Sequence, residues 1–154
     1  MKIGIIGSGE VGQALGTAFL KEGHAVLLGT RDPAKQAVVT WKSENAGAKT
    51  GSFSDAALFG DLVVLATAGH AAENAIGLAG EKNLAGKTVI DVTNPITPAA
   101  PEKGVLKLTT DLNLSLMEKL QQQAPDAKFV KAFNSVGSFL MYKPSFTEGK
   151  PSMF

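Results

Sequence analysis

Residues 2–12 read Lys2-Ile3-Gly4-Ile5-Ile6-Gly7-Ser8-Gly9-Glu10-Val11-Gly12. A short aliphatic run passes directly into glycines spaced G-x-G-x-x-G, and these open a stretch of helical periodicity. The run over 2–6 has the composition of a strand covered on both faces. Over 10–22, Val11, Leu15, Ala18 and Phe19 fall on one stripe and Gly23 supplies a stop, which predicts an amphipathic helix. In a strand–turn–helix setting each glycine has its own task. Gly7 permits the tight turn, Gly9 lets a pyrophosphate approach the backbone, and Gly12 lets the helix pack on the strand. The free N–H groups around Glu10 and Val11 then face an anion along the helix dipole. The spacing alone is weak, since a ligand-free turn can carry it; its place between strand and helix favours dinucleotide binding.

The same alternation continues along the chain. Further strands are predicted at 25–29, 62–66, 88–92 and 128–133, with a brief one within 46–53. Asp32-Pro33 has the form of an N-cap and first helical residue, opening a helix with Ala34, Val38 and Trp41 on one side. Ser54 can cap a short helix over 55–59, and further helices are expected over 70–78 and from about Leu112 to Gln123, before Pro125. Residues 97–110 show no period and are expected to form a long loop. The expected fold is α/β, a Rossmann-type, doubly wound, mainly parallel sheet, with 1–154 as a single domain.

The second strand ends Leu28-Gly29-Thr30-Arg31-Asp32-Pro33. NAD-specific sites place a carboxylate here, where it binds the ribose 2′-hydroxyl. Thr30 and Arg31 offer instead a hydroxyl and a guanidinium, which suit a 2′-phosphate through charge-assisted hydrogen bonds. Lys35 is expected on the first turn of the next helix, either reaching the same phosphate or serving as ordinary surface decoration. NADP is therefore the expected cofactor, with Asp32 as a helix cap.

Ligands of open α/β sheets sit outside the carboxyl ends of the strands. Three later strand ends carry small or amide-bearing residues: Ala66-Thr67-Ala68-Gly69-His70, Val92-Thr93-Asn94-Pro95 and Ala132-Phe133-Asn134-Ser135. Thr67, Ala68, Asn94, Pro95, Ala132 and Asn134 are the candidates for lining the nicotinamide end. Asn94-Pro95 also has a local explanation as a turn, and Asn134 as a cap. His70 could donate to a carbonyl or simply start the helix that follows; His24 is expected to be structural. No Lys or His with a paired carboxylate is visible at a strand end. No catalytic residue is therefore assigned.

Bulk properties narrow the function further. Hydrophobic residues make up 44% and charged residues 19%, the balance of a soluble globular protein. No apolar run approaches the ~20 residues of a membrane span, and the N-terminus enters a strand without a signal-peptide pattern. The net charge of +1 is dispersed, which argues against nucleic acid and anionic membranes as partners. Zero cysteines exclude disulfides and thiolate catalysis, and two histidines are too few for a dense histidine metal site. A cytoplasmic protein is expected.

The glycine motif, Gly23-His24, Gly29-Thr30-Arg31, Asn94-Pro95 and Val130-Lys131-Ala132-Phe133-Asn134 together resemble the F420-dependent NADP oxidoreductase family. The resemblance runs along essentially the whole chain, through Val136-Gly137 to Pro151-Ser152-Met153-Phe154. It implies that Ser8, Gly9, Glu10 and Val11 cradle the pyrophosphate and that Thr30, Arg31 and Lys35 hold the 2′-phosphate. It implies too that Thr67, Asn94 and Ala132 line the nicotinamide end. The implied activity is hydride transfer between NADPH and a deazaflavin (coenzyme F420), a flavin or another small acceptor, with alignment of two rings in place of a proton donor. Family members continue well past Phe154, and 151–154 resembles the start of their next strand. The part that helps build the second-substrate site, and often a homodimer, is therefore expected to be missing. The alternative is a non-catalytic NADP(H)-binding or sensing module.

Overall fold

The computed structural model describes residues 1–111, 113–147 and 149. Among the described residues six strands form one sheet: β1 (Lys2–Ile6), β2 (Ala25–Gly29), β3 (Lys49–Gly51), β4 (Leu62–Leu65), β5 (Thr88–Asp91) and β6 (Lys128–Lys131). Their order is β3-β2-β1-β4-β5-β6, and every pair is parallel. The chain winds outward from β1 in one direction and returns to start again at β4. This reversal leaves a crevice outside the carboxyl ends of β1 and β4, where such sheets receive ligands.

Helices cover both faces because the strand side chains alternate between two apolar cores. Ile3, Ile5, Val26, Leu28 and Val64 meet Leu15 of α1 (Glu10–Lys21) and Trp41 of α2 (Gln36–Glu44). On the other face Ile6, Val63, Leu65 and Val89 meet α3 (Phe53–Phe59), α4 (Ala72–Ala79) and α6 (Leu116–Gln123), with the short α5 (Glu81–Leu84) beside them. Of the predicted α1 stripe, Leu15 and Ala18 are buried and Val11 and Phe19 pack half-buried against the same core, and Gly23, at φ 81, follows the helix end as expected. The Trp41 indole donates to Gln13 O (3.1 Å) and Thr17 Oγ1 (2.9 Å), tying α2 to α1.

Several local expectations are corrected. Asp32 caps a single turn, its carboxylate accepting from Ala34 N (3.0 Å), but Lys35 is extended at ψ 124 and α2 begins only at Gln36. Lys35 is thus an N-cap residue rather than part of a first turn, and Ala34 is exposed. The cap of α3 is Ser52, not Ser54: its hydroxyl accepts from Asp55 N (3.1 Å) while Asp55 accepts from Ser52 N (2.8 Å). The last helix starts at Leu116 behind a second capping box, Ser115 with Glu118; the expected start, Leu112, lies outside the described residues, as do 151–154. A 3-10 turn, Gly69–Ala71, precedes α4, and another spans Ser138–Leu140. Residues 97–110 contain no helix, but the bridges Ile96–Leu108 and Glu102–Val105 fold the segment back on itself. Burial on both faces fails at β6, an outer strand, where Lys128 and Val130 are exposed.

Ser52→Ala should destabilise the protein by about 1 kcal/mol in urea denaturation, the usual effect of losing an N-cap. Hydrogen bonds from the Ser52 hydroxyl, and then from its backbone N–H, hold the Asp55 carboxyl below its ordinary 3.8. A lowered folded-state value means stability present above 3.8 and lost as pH falls through the folded value. Ser52→Ala should flatten that acid limb of the stability curve.

Candidate functional site

The first turn of the chain is built by close contact. Gly7 has φ 122, and a Cβ there would lie 2.4 Å from Ala66 O, so only glycine lets the end of β1 press against the end of β4. A Cβ on Gly12 would lie 2.0 Å from Gly7 O, which is why α1 can sit directly over the turn. Gly9 is different: a Cβ there would meet nothing within 4 Å. The three glycines therefore divide into a turn, an open approach and a packing contact, as the motif predicts. Gly9 is also the N-cap of α1 and supplies no side-chain cap, leaving the amides of Glu10, Val11 and Gly12 as helix-end donors.

Beside this turn lies a cavity of about 280 Å³, a little under the usual 300–1,000 Å³ of ligand pockets. Gly7, Ser8 and Gly9 line one side, Thr30, Arg31, Asp32 and Lys35 a second, and Ala66, Thr67 and Ala68 a third. The ends of β1, β2 and β4 thus meet in one place. Thr30 is buried, and its hydroxyl accepts from Ser8 Oγ (3.0 Å) and Asp32 N (3.2 Å) while donating to Asp32 O (3.1 Å). Its hydrogen-bonding capacity is spent within the protein, so in this structure it organises the turn that presents Arg31. Arg31 and Lys35 are exposed in the cavity wall and make no ion pair among the described residues. Asp32 also borders the cavity, with its carboxylate tied to Ala34 N.

Cavity residues that sequence reasoning missed are Phe53, Ala71, Asn74 and Ala75. Phe53 lies two residues after β3, at the carboxyl edge, so the strand-end rule could have found it. Asn74 and Ala75 sit within α4, and nothing in their sequence sets them apart. His70 is the middle residue of the 3-10 turn, not the start of α4, and it borders the cavity. His24 does not line the cavity; it is half-buried, its ring 6.0 Å from that of Phe19.

Asn94, Pro95, Ala132 and Asn134 do not line this cavity, whereas Thr67 and Ala68 do; the group expected at the nicotinamide end is split. The four still form one edge. Asn94 Nδ2 donates to Asn134 O (2.8 Å), and Asn134 Nδ2 to Asn94 Oδ1 (3.4 Å). A Cβ on Gly69 would lie 2.0 Å from Asn94 O, so the turn after β4 rests on the segment after β5. Beneath this edge Lys131 pairs with the buried Asp91 (2.9 Å). A cation–carboxylate pair does therefore occur at the strand ends, contrary to expectation.

The family model described as NADP oxidoreductase, coenzyme F420-dependent, matches residues 2–95, from β1 through Asn94-Pro95. The chain belongs to this family. Among solved structures it resembles a candidate F420-dependent NADP-reductase from Arthrobacter sp. FB24, with 34% identity and a TM-score of 0.86 over 94% of this chain and 67% of that one. A hypothetical protein from Sinorhizobium meliloti matches with 26% identity and a TM-score of 0.73, over 91% of this chain and 64% of that one. The chain thus spans about two thirds of the length of each. An imine reductase from Streptomyces aurantiacus, at 21% identity and a TM-score of 0.57, shares the fold, covering 86% of this chain and 40% of its own. As a member of the F420-dependent NADP oxidoreductase family, the chain carries the glycine turn and the Thr30-Arg31 strand end inside the matched region. The Lys131-Ala132-Phe133-Asn134 segment lies beyond it.

Proposed function

We propose that this chain is the NADP(H)-binding part of an oxidoreductase that exchanges hydride with a deazaflavin, a flavin or another small acceptor. The observation that carries the proposal is the cavity in which Arg31 and Lys35, free of ion pairs among the described residues, face the same space as the Gly7–Gly9 turn. That arrangement suits an anion on the adenosine ribose together with a pyrophosphate at a helix start. The fit is supported by two further features. Among the described residues nothing would meet a Cβ on Gly9 within 4 Å, and Thr67 Oγ1 is buried with no hydrogen-bond partner. An unsatisfied buried hydroxyl costs about 1–3 kcal/mol, which a bound polar group would offset.

In this proposal the amides of Gly9 to Gly12 hold the pyrophosphate, Arg31 and Lys35 hold the 2′-phosphate, and Phe53, Ala71 and Ala75 offer the adenine an apolar wall. Asn94, Pro95, Ala132 and Asn134 receive the nicotinamide end. The bound dinucleotide supplies the hydride. The chain's own contribution is alignment and shielding: the Lys131 ammonium is committed to Asp91 and Thr93, and His70 makes no side-chain hydrogen bond among the described residues that would orient it toward a reacting atom.

Mixing the full chain with NADPH and, separately, coenzyme F420, FMN or FAD should deplete NADPH absorbance with at least one acceptor. Tight NADPH binding with no turnover on any acceptor would favour a non-catalytic NADP(H)-binding module instead. Absence of NADPH binding would reject both.

A further inference from the structure

Asp91 and Lys131 are the last residues of β5 and β6 and stand opposite one another in the parallel register. Asp91 is wholly buried. Its Oδ2 accepts from Lys131 Nζ (2.9 Å), and its Oδ1 accepts from Thr93 N (2.9 Å) and Thr93 Oγ1 (2.7 Å). Lys131 Nζ also donates to Thr93 O, and Ala132 N donates to Asp91 O (3.2 Å). One ion pair therefore fixes how the chain leaves two neighbouring strands.

Buried ion pairs are weak evidence for stability, because apolar residues of similar volume often serve as well or better. What such a pair supplies is a defined geometry. Here the geometry is that of Thr93-Asn94-Pro95 and Ala132-Phe133-Asn134, the segments joined above it by the Asn94–Asn134 hydrogen bonds. Within the second segment Phe133 has φ 63, a left-handed conformation unusual for a side chain of its size. Strained backbone of this kind persists only where its surroundings over-determine it, and it concentrates at functional sites.

We propose that Asp91 and Lys131 are positioning residues, a latch that holds the β5 and β6 ends in the arrangement that receives the nicotinamide ring. The inference rests on the proposed NADP(H) function. It assigns the pair a role in the nicotinamide half of the site and none in the adenosine half, which lies at β1, β2 and β4.

Calorimetric titration of the full chain with NADPH and with 2′-phospho-ADP-ribose, which lacks the nicotinamide, separates the two halves. The variants are Lys131→Met, Asp91→Asn and the apolar double variant Asp91→Leu/Lys131→Met, which removes both charges and so avoids stranding one in the interior. Wild type should prefer NADPH over 2′-phospho-ADP-ribose by about tenfold or more, as expected if the ring is held in place. In the double variant that preference should fall to about twofold or less, with 2′-phospho-ADP-ribose affinity and cooperative unfolding retained. If the folded double variant keeps the full NADPH preference, the latch has no positioning role and the inference is overturned while the NADP(H) function stands. Equal binding of the two ligands by wild type overturns it too, since this edge would then not engage the ring. Failure of wild type to bind either ligand overturns the proposed function itself.

Discussion

Arg31→Ala is expected to weaken NADPH binding by about 1.5–3 kcal/mol, roughly 10- to 150-fold, while NADH binding stays within about twofold of wild type. The expectation follows from where the side chain sits. Arg31 is exposed in the cavity wall and unpaired among the described residues, so its removal leaves no stranded partner and should not disturb the fold. Its guanidinium can meet a phosphate with two parallel hydrogen bonds, which a lysine cannot reproduce, so Arg31→Lys should recover only part of the loss. Lys35→Ala should have the smaller effect, because an ammonium acts as a point charge on a flexible stem. The cavity is open to solvent, so added salt should narrow the NADPH preference in wild type and change little in Arg31→Ala. Equal losses for NADPH and NADH would instead make Arg31 a contact to the shared adenosine. No loss for either would move the 2′-phosphate elsewhere.

What could be seen in the sequence was whatever the chain specifies locally. The strand–glycine–helix run over 2–22 is self-contained: its stripe, its stop at Gly23 and the tasks of Gly7, Gly9 and Gly12 all depend on neighbours a few residues away. The Thr30-Arg31 strand end was legible for the same reason, since position along the strand fixes which edge it reaches. The start of α2 was not. Asp32-Pro33 does cap a turn, but whether the chain then continues as helix is decided at Lys35, whose extended backbone no propensity rule would foresee. Ser52 was a missed signal rather than a hidden one, because Ser52-Phe53-Ser54-Asp55 carries the capping-box spacing and Ser54 was the wrong serine to choose.

Long-range pairing was beyond reach in principle. Asp91 and Lys131 are 40 residues apart, and only the parallel register of β5 with β6 brings their side chains together. The same holds for Asn94 with Asn134. Phe53 and Asn74 reach the cavity because α3 and α4 lie against the sheet, a tertiary fact that neither helix states alone. Sheet order also explains the exposed face of β6, whose composition matches a covered strand but whose place is at the end of the row.

Gly9→Ala should separate the fold from the function. A Cβ at Gly9 meets nothing within 4 Å, and its φ of −77 is one any residue adopts. The ligand-free protein should therefore tolerate the change and gain about 0.4–1 kcal/mol, because alanine reduces the freedom of the unfolded chain. In the proposed site the new methyl would project into the space that the pyrophosphate takes, so NADPH and NADH should both bind at least about a hundredfold more weakly, the two phosphates losing close contact with the helix-start amides. Gly12→Ala should behave in the opposite way. Its Cβ would fall 2.0 Å from Gly7 O, so α1 must move off the turn, and the loss should appear first as a fall in stability of about 1–3 kcal/mol from overpacking, with weaker binding as a consequence. Thermal unfolding and calorimetry on the two variants distinguish these mechanisms directly. A stable Gly9→Ala protein that still binds NADPH like wild type would mean that the open side of the turn does not face the dinucleotide, and the proposed cofactor site would fall with it.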